Sequence, residues 1–304
     1  MTSKPIDLKR QTDWLSKANI LTEALPFMRQ YSGKTVVIKY GGHAMVDNNL
    51  ALNFAADMVL LQQVGMNPVV VHGGGPQITN MLKRLDIKSE FIDGLRITNQ
   101  MTVEIIEMVL SGFINKSIVS AVTQAGGKAI GLSGKDAGLI QAKKLFLNKV
   151  EPNSKIKTAI DLGFVGEPNK VDASLLRSLA LQDLIPIVAP IGLGYDGKTY
   201  NINADTAAGA IAAAIDASRF MLLTDLEGVL DKNGCLIPEL TVSQARKLID
   251  EGIIFNGMIP KVETCIKAVE CGAEGAVIID GRVQNGVLLE LFTNHGMGTW
   301  IRCD

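Results

Sequence analysis

The sequence predicts an α/β protein, a three-layer αβα sandwich of helices around a mainly parallel sheet. Short apolar runs rich in β-branched residues recur at 35–40, 68–72, 185–191, 220–224 and 275–280, as buried parallel strands do. Between and beyond them, apolar residues fall at helical spacing over 48–64, 76–85, 99–124, 172–182, 204–217, 242–251 and 262–271. Such alternation is the pattern of a sheet covered by helices on both faces. Glycine clusters also follow the first two runs, and ligands gather at the carboxyl ends of parallel strands.

The elements can be justified in order. Residues 13–30 place Trp14, Ala18, Leu21, Leu25 and Met28 on one helical stripe, with Pro26 expected to bend it. That stripe fits either packing on its own domain or an arm for a partner. Strand and helix alternate from Thr35 onward. The stretch 140–170, with Pro152, Gly163, Gly166 and Pro168, reads as hairpins and loops. A lobe boundary is placed near 195, before "KTYNINAD". The expected division is 1–30 as a separate helix, 31–195 as the first lobe and 196–304 as the second.

The bulk numbers narrow the function classes. The chain has 304 residues, 47% of them hydrophobic and 20% charged, an ordinary globular composition. A net charge of −1 gives no support for nucleic-acid or membrane-surface binding. No apolar run reaches the roughly 18 residues of a membrane span, and the charged N-terminus does not resemble a secretory signal. Cys235, Cys265, Cys271 and Cys303 form no CxxC pair, and histidines stand only at 43, 72 and 295. No metal centre is expected; reduced thiols in a cytoplasmic enzyme are the simplest account.

Two motif matches are decoys. "SGKT" at Ser32–Thr35 ends like a Walker A loop, but its lysine precedes a strand instead of following one. "GLGYDG" at Gly192–Gly197 matches GxGxxG, yet an extended segment follows it, so a hairpin turn fits better.

The remaining motifs share one chemistry. Lys39, Tyr40, Gly41 and Gly42 sit where a strand ends, leaving open backbone amides beside a point charge for a phosphate. "VVVHGGGPQI" repeats the device, with Gly74 and Gly75 before Pro76 at a helix start. His72 reads as a structural strand-end residue. Arg96 in "GLRIT" is either a fork for a substrate carboxylate or an ordinary surface arginine. In "YNINADTAAGAIA", Asn201 and Asn203 alternate onto one strand face, and Asp205 either joins them in a cleft or caps a helix. Thr224 and Asp225 end a further strand. Lys261 stands just before a helix, where a cation is unfavourable without an anion nearby.

Together, "TVVIKYGG", "VVVHGGG", "GLRIT", "YNINADTAA", "GMIPKV", "IIDGR" and "GMGTWI" resemble the amino acid kinase family, specifically its acetylglutamate branch. The resemblance covers nearly the whole chain and implies the amino acid kinase fold. It further implies ATP-dependent phosphorylation of the side-chain carboxylate of N-acetyl-L-glutamate, an arginine-biosynthesis step, with Mg²⁺ carried mainly by the nucleotide. By that resemblance Lys39 and Lys261 stabilise the transition state from opposite sides, and Asp205 holds both ammoniums. Gly74, Gly75, Arg96, Asn201 and Asn203 fall on the acceptor side; Gly41, Gly42, Thr224 and Asp225 fall on the nucleotide side. Arginine-inhibited members carry an N-terminal helix that interlaces dimers into a hexamer, so a homo-oligomer with L-arginine as effector is implied, with Glu290 and Gly296 as its contacts. Val277 and Phe27 stand where those members usually carry histidine and tyrosine. Another acceptor, or a non-catalytic nucleotide-dependent sensor, are the alternative readings.

Overall fold

The computed structural model describes residues 8–45, 47–150, 157–294 and 296–304. Its centre is one eight-stranded sheet. Along the sheet run β12 (Glu239–Thr241), β14 (Thr299–Arg302), β13 (Ala276–Asp280), β11 (Arg219–Thr224), β1 (Thr35–Tyr40), β2 (Asn67–His72), β8 (Ile185–Ala189) and β5 (Ala129–Ser133). Every pairing in it is parallel except β13 with β14. The remaining strands form a hairpin, β3 (Phe91–Ile92) with β4 (Leu95–Arg96), and a ring of four. The ring comprises β6 (Ile140–Val150), β7 (Lys157–Val171), β9 (Ile191–Gly194) and β10 (Thr199–Ile202).

Among the described residues, ten α-helices accompany these strands: α1 (Leu8–Tyr31), α2 (Asn48–Gln63), α3 (Gly75–Arg84), α4 (Gln100–Glu107), α5 (Asn115–Gln124), α6 (Ser174–Ala180), α7 (Ala204–Ala214), α8 (Val242–Asp250), α9 (Ile259–Glu270) and α10 (Gly286–Phe292). Period-two alternation along β1 splits the core in two. Val37 joins the cluster under α7 and α9, while Val36 and Ile38 join the one under α2, α4 and α5. Sandwich and parallel sheet are as expected.

Four details go beyond the expectation or differ from it. The run 185–191 is two strands, because Pro190 offers no N–H and the chain there leaves the main sheet for the ring. The stretch 99–124 is one rod whose middle, Met108–Ile114, is π-helical. The segment Gln100–Gln124 passes, by length and composition, as apolar enough to cross a membrane; here Val103, Ile106, Val109, Leu110 and Ile114 lie in the core. The division near 195 falls in the turn between β9 and β10, yet β10 pairs back onto β9 and β7. Main sheet and ring both draw strands from either side of that point.

The hairpin reading of 140–170 matches the long antiparallel pair β6–β7, although Pro152 lies outside the described residues. Helix α1 carries Pro26 inside it and packs chiefly at its C-terminal end, where Tyr31 is buried. Its Trp14, Leu15, Ile20, Leu21 and Leu25 are exposed, so the apolar stripe does not pack on its own domain.

Candidate active site

The two glycine turns meet at the carboxyl ends of β1 and β2. Gly73 N–H donates to Tyr40 O at 2.7 Å, which locks the turns side by side. Gly41 lies beneath the Lys39 side chain: a Cβ built there would stand 3.0 Å from Lys39 Nζ. Gly42 adopts φ +68°, a backbone state that favours glycine, with Asp225 alongside. Gly74 ends against Leu110 and Ile114 of the π-helical segment, where a side chain would collide with both. Pro76 then starts α3 without spending a helical N–H.

Asp205 lies in the first turn of α7, facing these turns. The cap of α7 is Asn203, whose Oδ1 accepts from the N–H groups of Asp205 at 2.9 Å and Thr206 at 3.2 Å. The cap reading of Asp205 is thereby excluded, and its carboxylate is released for other work. Its Oδ1 meets Lys39 Nζ at 3.0 Å, and its Oδ2 meets Lys261 Nζ at 3.0 Å. Burial alone would raise this carboxyl's pKa, but the two ammoniums outweigh it and hold the pKa below the usual range. Lys261, beside Pro260 at the start of α9, thus has the anion its position demands. Two ammoniums held 3.0 Å from one half-buried carboxylate form a preorganised cationic clamp.

Arg96 closes the opposite wall. It is buried, and its guanidinium donates to Thr79 Oγ1 at 2.8 Å and to Ser89 Oγ. The group stands 4.5 Å over the Phe91 ring, and no described carboxylate pairs with it. Burial lowers its pKa. The surface reading of Arg96 is excluded; among the described residues its guanidinium is supported by hydroxyls and a ring, an arrangement that can accept an anion. Thr98 holds β4 in place through a backbone bridge to Leu162 and Phe164, around Gly163 at φ +79°.

Between these walls is a cleft of about 290 Å³ lined by Lys39, Gly41, Gly42, Gly73–Gly75, Arg96, Asn201, Asn203 and Asp205, among others. Thr224 and Asp225 lie outside that cleft lining, at the neighbouring end of β11 beside Gly42. The Thr224 hydroxyl is occupied within its own turn, accepting from Leu226 N–H at 2.9 Å. His72 is fully buried; its ring contacts Gly73 O at 2.8 Å and Asn115 Nδ2 at 3.3 Å, and burial lowers its pKa to about 4. It is the structural residue expected. Sequence reasoning missed the π-helical wall at Leu110 and Ile114, because an apolar helix looks the same whether wound as α or π.

Glu290 and Gly296 meet at a separate pocket of about 410 Å³, which Phe27 and Tyr31 of α1 also line. Glu290 Oε2 accepts from Met297 N–H at 2.6 Å, and burial raises its pKa. Arg219 lies in the same pocket, 4.3 Å from the Trp300 ring. Val277 does not reach it; that side chain lies in the core. His295, inside the same C-terminal stretch, is outside the described residues.

Residues 34–280 match the model of the amino acid kinase family. An acetylglutamate kinase from Rhodospirillum centenum is 60% identical over 300 residues, covering 99% of this chain and 98% of that protein. One from Bradyrhizobium diazoefficiens is 61% identical over 287 residues, covering 94% and 97%. Among solved structures, the N-acetylglutamate synthase of Neisseria gonorrhoeae superposes with a TM-score of 0.80 at 24% identity, over 94% of this chain and 63% of that one. Carbamate kinase from Giardia lamblia, at 16% identity, gives 0.62 over 90% and 100%. These last two share the fold. By its fold, by the family model and by relatives that match it almost end to end, the chain belongs to the amino acid kinase family.

Proposed function

We propose that this chain transfers the γ-phosphoryl group of ATP to the side-chain carboxylate of N-acetyl-L-glutamate, giving N-acetyl-L-glutamyl 5-phosphate for arginine biosynthesis. The observation that carries the reading is the Lys39–Asp205–Lys261 clamp, set at the edge of a cleft whose far wall holds the unpaired Arg96. Phosphoryl transfer asks for two anions brought in line and for charge neutralised on the transferring group, not for covalent help. Lys39 and Lys261 supply that charge from two sides. Asp205 keeps their separation fixed and stops them repelling one another. Open amides at Gly41, Gly42, Gly74 and Gly75 add donors for phosphate and acceptor oxygens. The acceptor carboxylate is already ionised near neutral pH, so no general base is needed.

Arg96 takes the α-carboxylate of the acceptor, and Asn201 its acetamido end; Asn203 contributes chiefly by capping α7 beneath it. The nucleotide lies on the side of Gly42, Thr224 and Asp225. With Asp205 committed to lysines, and no group of three potential metal-ligating side chains among the described residues, Mg²⁺ would sit on the nucleotide's own phosphates and neutralise their charge there. A cytoplasmic setting suits the four cysteines, all free.

An ADP-release assay offering N-acetylglutamate, glutamate, aspartate and carbamate tests the reading; turnover with a different acceptor, or with none, overturns it. Arg96→Ala is expected to raise KM for N-acetylglutamate while leaving that for ATP nearly unchanged. Loss of a charged bidentate partner costs about 1.5–3 kcal/mol, roughly a tenfold to hundredfold rise. An equal rise in both constants would place Arg96 elsewhere.

The exposed apolar stripe of α1 is the surface through which copies of this chain assemble, as a hexamer of interlaced dimers. L-Arginine binds the pocket beside it, its guanidinium on Glu290 and its other end at Arg219 and the backbone around Gly296. Light scattering should show a hexamer that arginine inhibits, and removal of residues 1–30 should leave uninhibited dimers. A full-length chain that is already a dimer would end this part of the proposal.

A further inference from the structure

We infer that Glu107, Lys135 and Thr199 form a positioning clamp that sets the width of the acceptor half of the cleft. Lys135 Nζ donates to Glu107 Oε1 at 2.9 Å and to Thr199 Oγ1 at 3.0 Å, while Thr199 Oγ1 reaches Glu107 Oε2 at 3.5 Å. Three elements far apart in sequence are joined in this way. Glu107 is the last residue of α4, Lys135 follows β5, and Thr199 opens β10. Two of them, Glu107 and Thr199, lead directly into a wall of the cleft. From Glu107 the chain enters the π-helical turns, where Leu110 lines the cleft and Leu110 and Ile114 press on Gly74. From Thr199, two residues along β10, comes Asn201, followed by Asn203 and Asp205. The lysine's own backbone is rigid, since Gly134 N–H donates to Ala189 O at 3.1 Å and a Cβ at Gly134 would meet Ile191 O.

A π-helical stretch is less well packed along its axis than an α-helix and needs tertiary contacts to fix where it turns. The clamp provides one at Glu107, the residue just before the π-helical turns. Both charged side chains are about one-third exposed, 32% each, so salt screening leaves little net stability in the pair. Its value is geometric: it holds the Leu110–Gly74 wall at a set distance from Asn201. Small misplacements of positioning groups are costly to catalysis even where they barely change stability.

This rests on the acceptor site being the Arg96–Asn201 half of the cleft. Glu107→Gln and Lys135→Met should each raise KM for N-acetylglutamate about tenfold, as loosened positioning does, and leave KM for ATP within about twofold. The double variant should be no worse than either single one, because both remove the same contact. Lys135→Arg should restore most of the loss, and Thr199→Val should show a smaller one. Amide hydrogen exchange at 108–114 and 199–203 should quicken in the two single variants; that readout needs no turnover, so it stands even if the wild type phosphorylates a different acceptor. Unchanged acceptor KM with a lowered Tm, or unchanged exchange in both segments, would make the trio an ordinary structural contact and overturn the inference. Should Lys135→Met fail to fold, Thr199→Val and Lys135→Arg still decide it by the same two readouts.

Discussion

Lys39→Ala and Lys261→Ala are each expected to lower kcat by roughly 10²–10³, the loss seen when one preorganised donor to a developing anion is removed. Each ammonium is held by one oxygen of the same carboxylate, so removing either leaves Asp205 with a single partner and the transferring group with charge on one side only. Lys39 has a side-chain exposure of 11% and Lys261 of 23%, so in neither case can water replace the ammonium freely. KM for both substrates should change less than kcat, because the missing charge acts on the transition state. The double variant should fall short of the product of the single losses, since the three groups act as one unit. Arginine at position 39 should not rescue, because its planar fork does not reproduce a compact point charge held 3.0 Å from one oxygen of Asp205. Either alanine variant retaining near-wild-type kcat would remove that lysine from the mechanism.

How much of this was legible in the sequence depended on the range of the interaction. Strands β1, β2, β11 and β13 were readable because a buried parallel strand is a continuous apolar run. The glycine turns were readable because strand, glycines and helix start lie next to each other in the chain. Strands β5, β12 and β14 and helix α10 escaped, being short and lacking a clean period. The roles of Asn203 and Asp205 turned on local geometry: both residues can cap a helix, and only the backbone shows that Asn203 does. Lys261 and Asp205 are separated by 56 residues. Their contact was expected through family resemblance, because spacing alone says nothing about it. The Glu107–Lys135–Thr199 trio is beyond any sequence pattern, since its members sit on three elements with no motif in common.

Asp57→Asn is expected to stabilise the protein in a manner that grows with pH. Asp57 lies on α2 with 4% of its surface exposed, and no described residue donates a hydrogen bond to it or pairs with it. Burial alone raises its pKa from 3.8 to about 7. In the unfolded chain the carboxyl would lose its proton near 3.8, whereas in the fold it keeps the proton up to about 7. Between those values the native state binds more protons than the unfolded one, so stability falls as pH rises and levels off above about 7. Each pKa unit corresponds to about 1.4 kcal/mol, which puts the cost near pH 8 at a few kcal/mol. Asparagine keeps the shape and abolishes the titration. Thermal unfolding of both proteins should therefore coincide near pH 4 and separate by several degrees near pH 8, with the asparagine variant the more stable. The opposite ordering near pH 8 would show a useful anion. A route to one is visible: Asp57 borders a cavity of about 20 Å³ shared with Asn285, Gly286 and Val287, where α10 begins without a side-chain cap. That volume holds one water, which could relay the helix's free N–H groups to an ionised carboxylate. The sign of the difference near pH 8 thus separates a neutral acid buried at a cost from a water-bridged anion that steadies α10, the helix carrying Glu290.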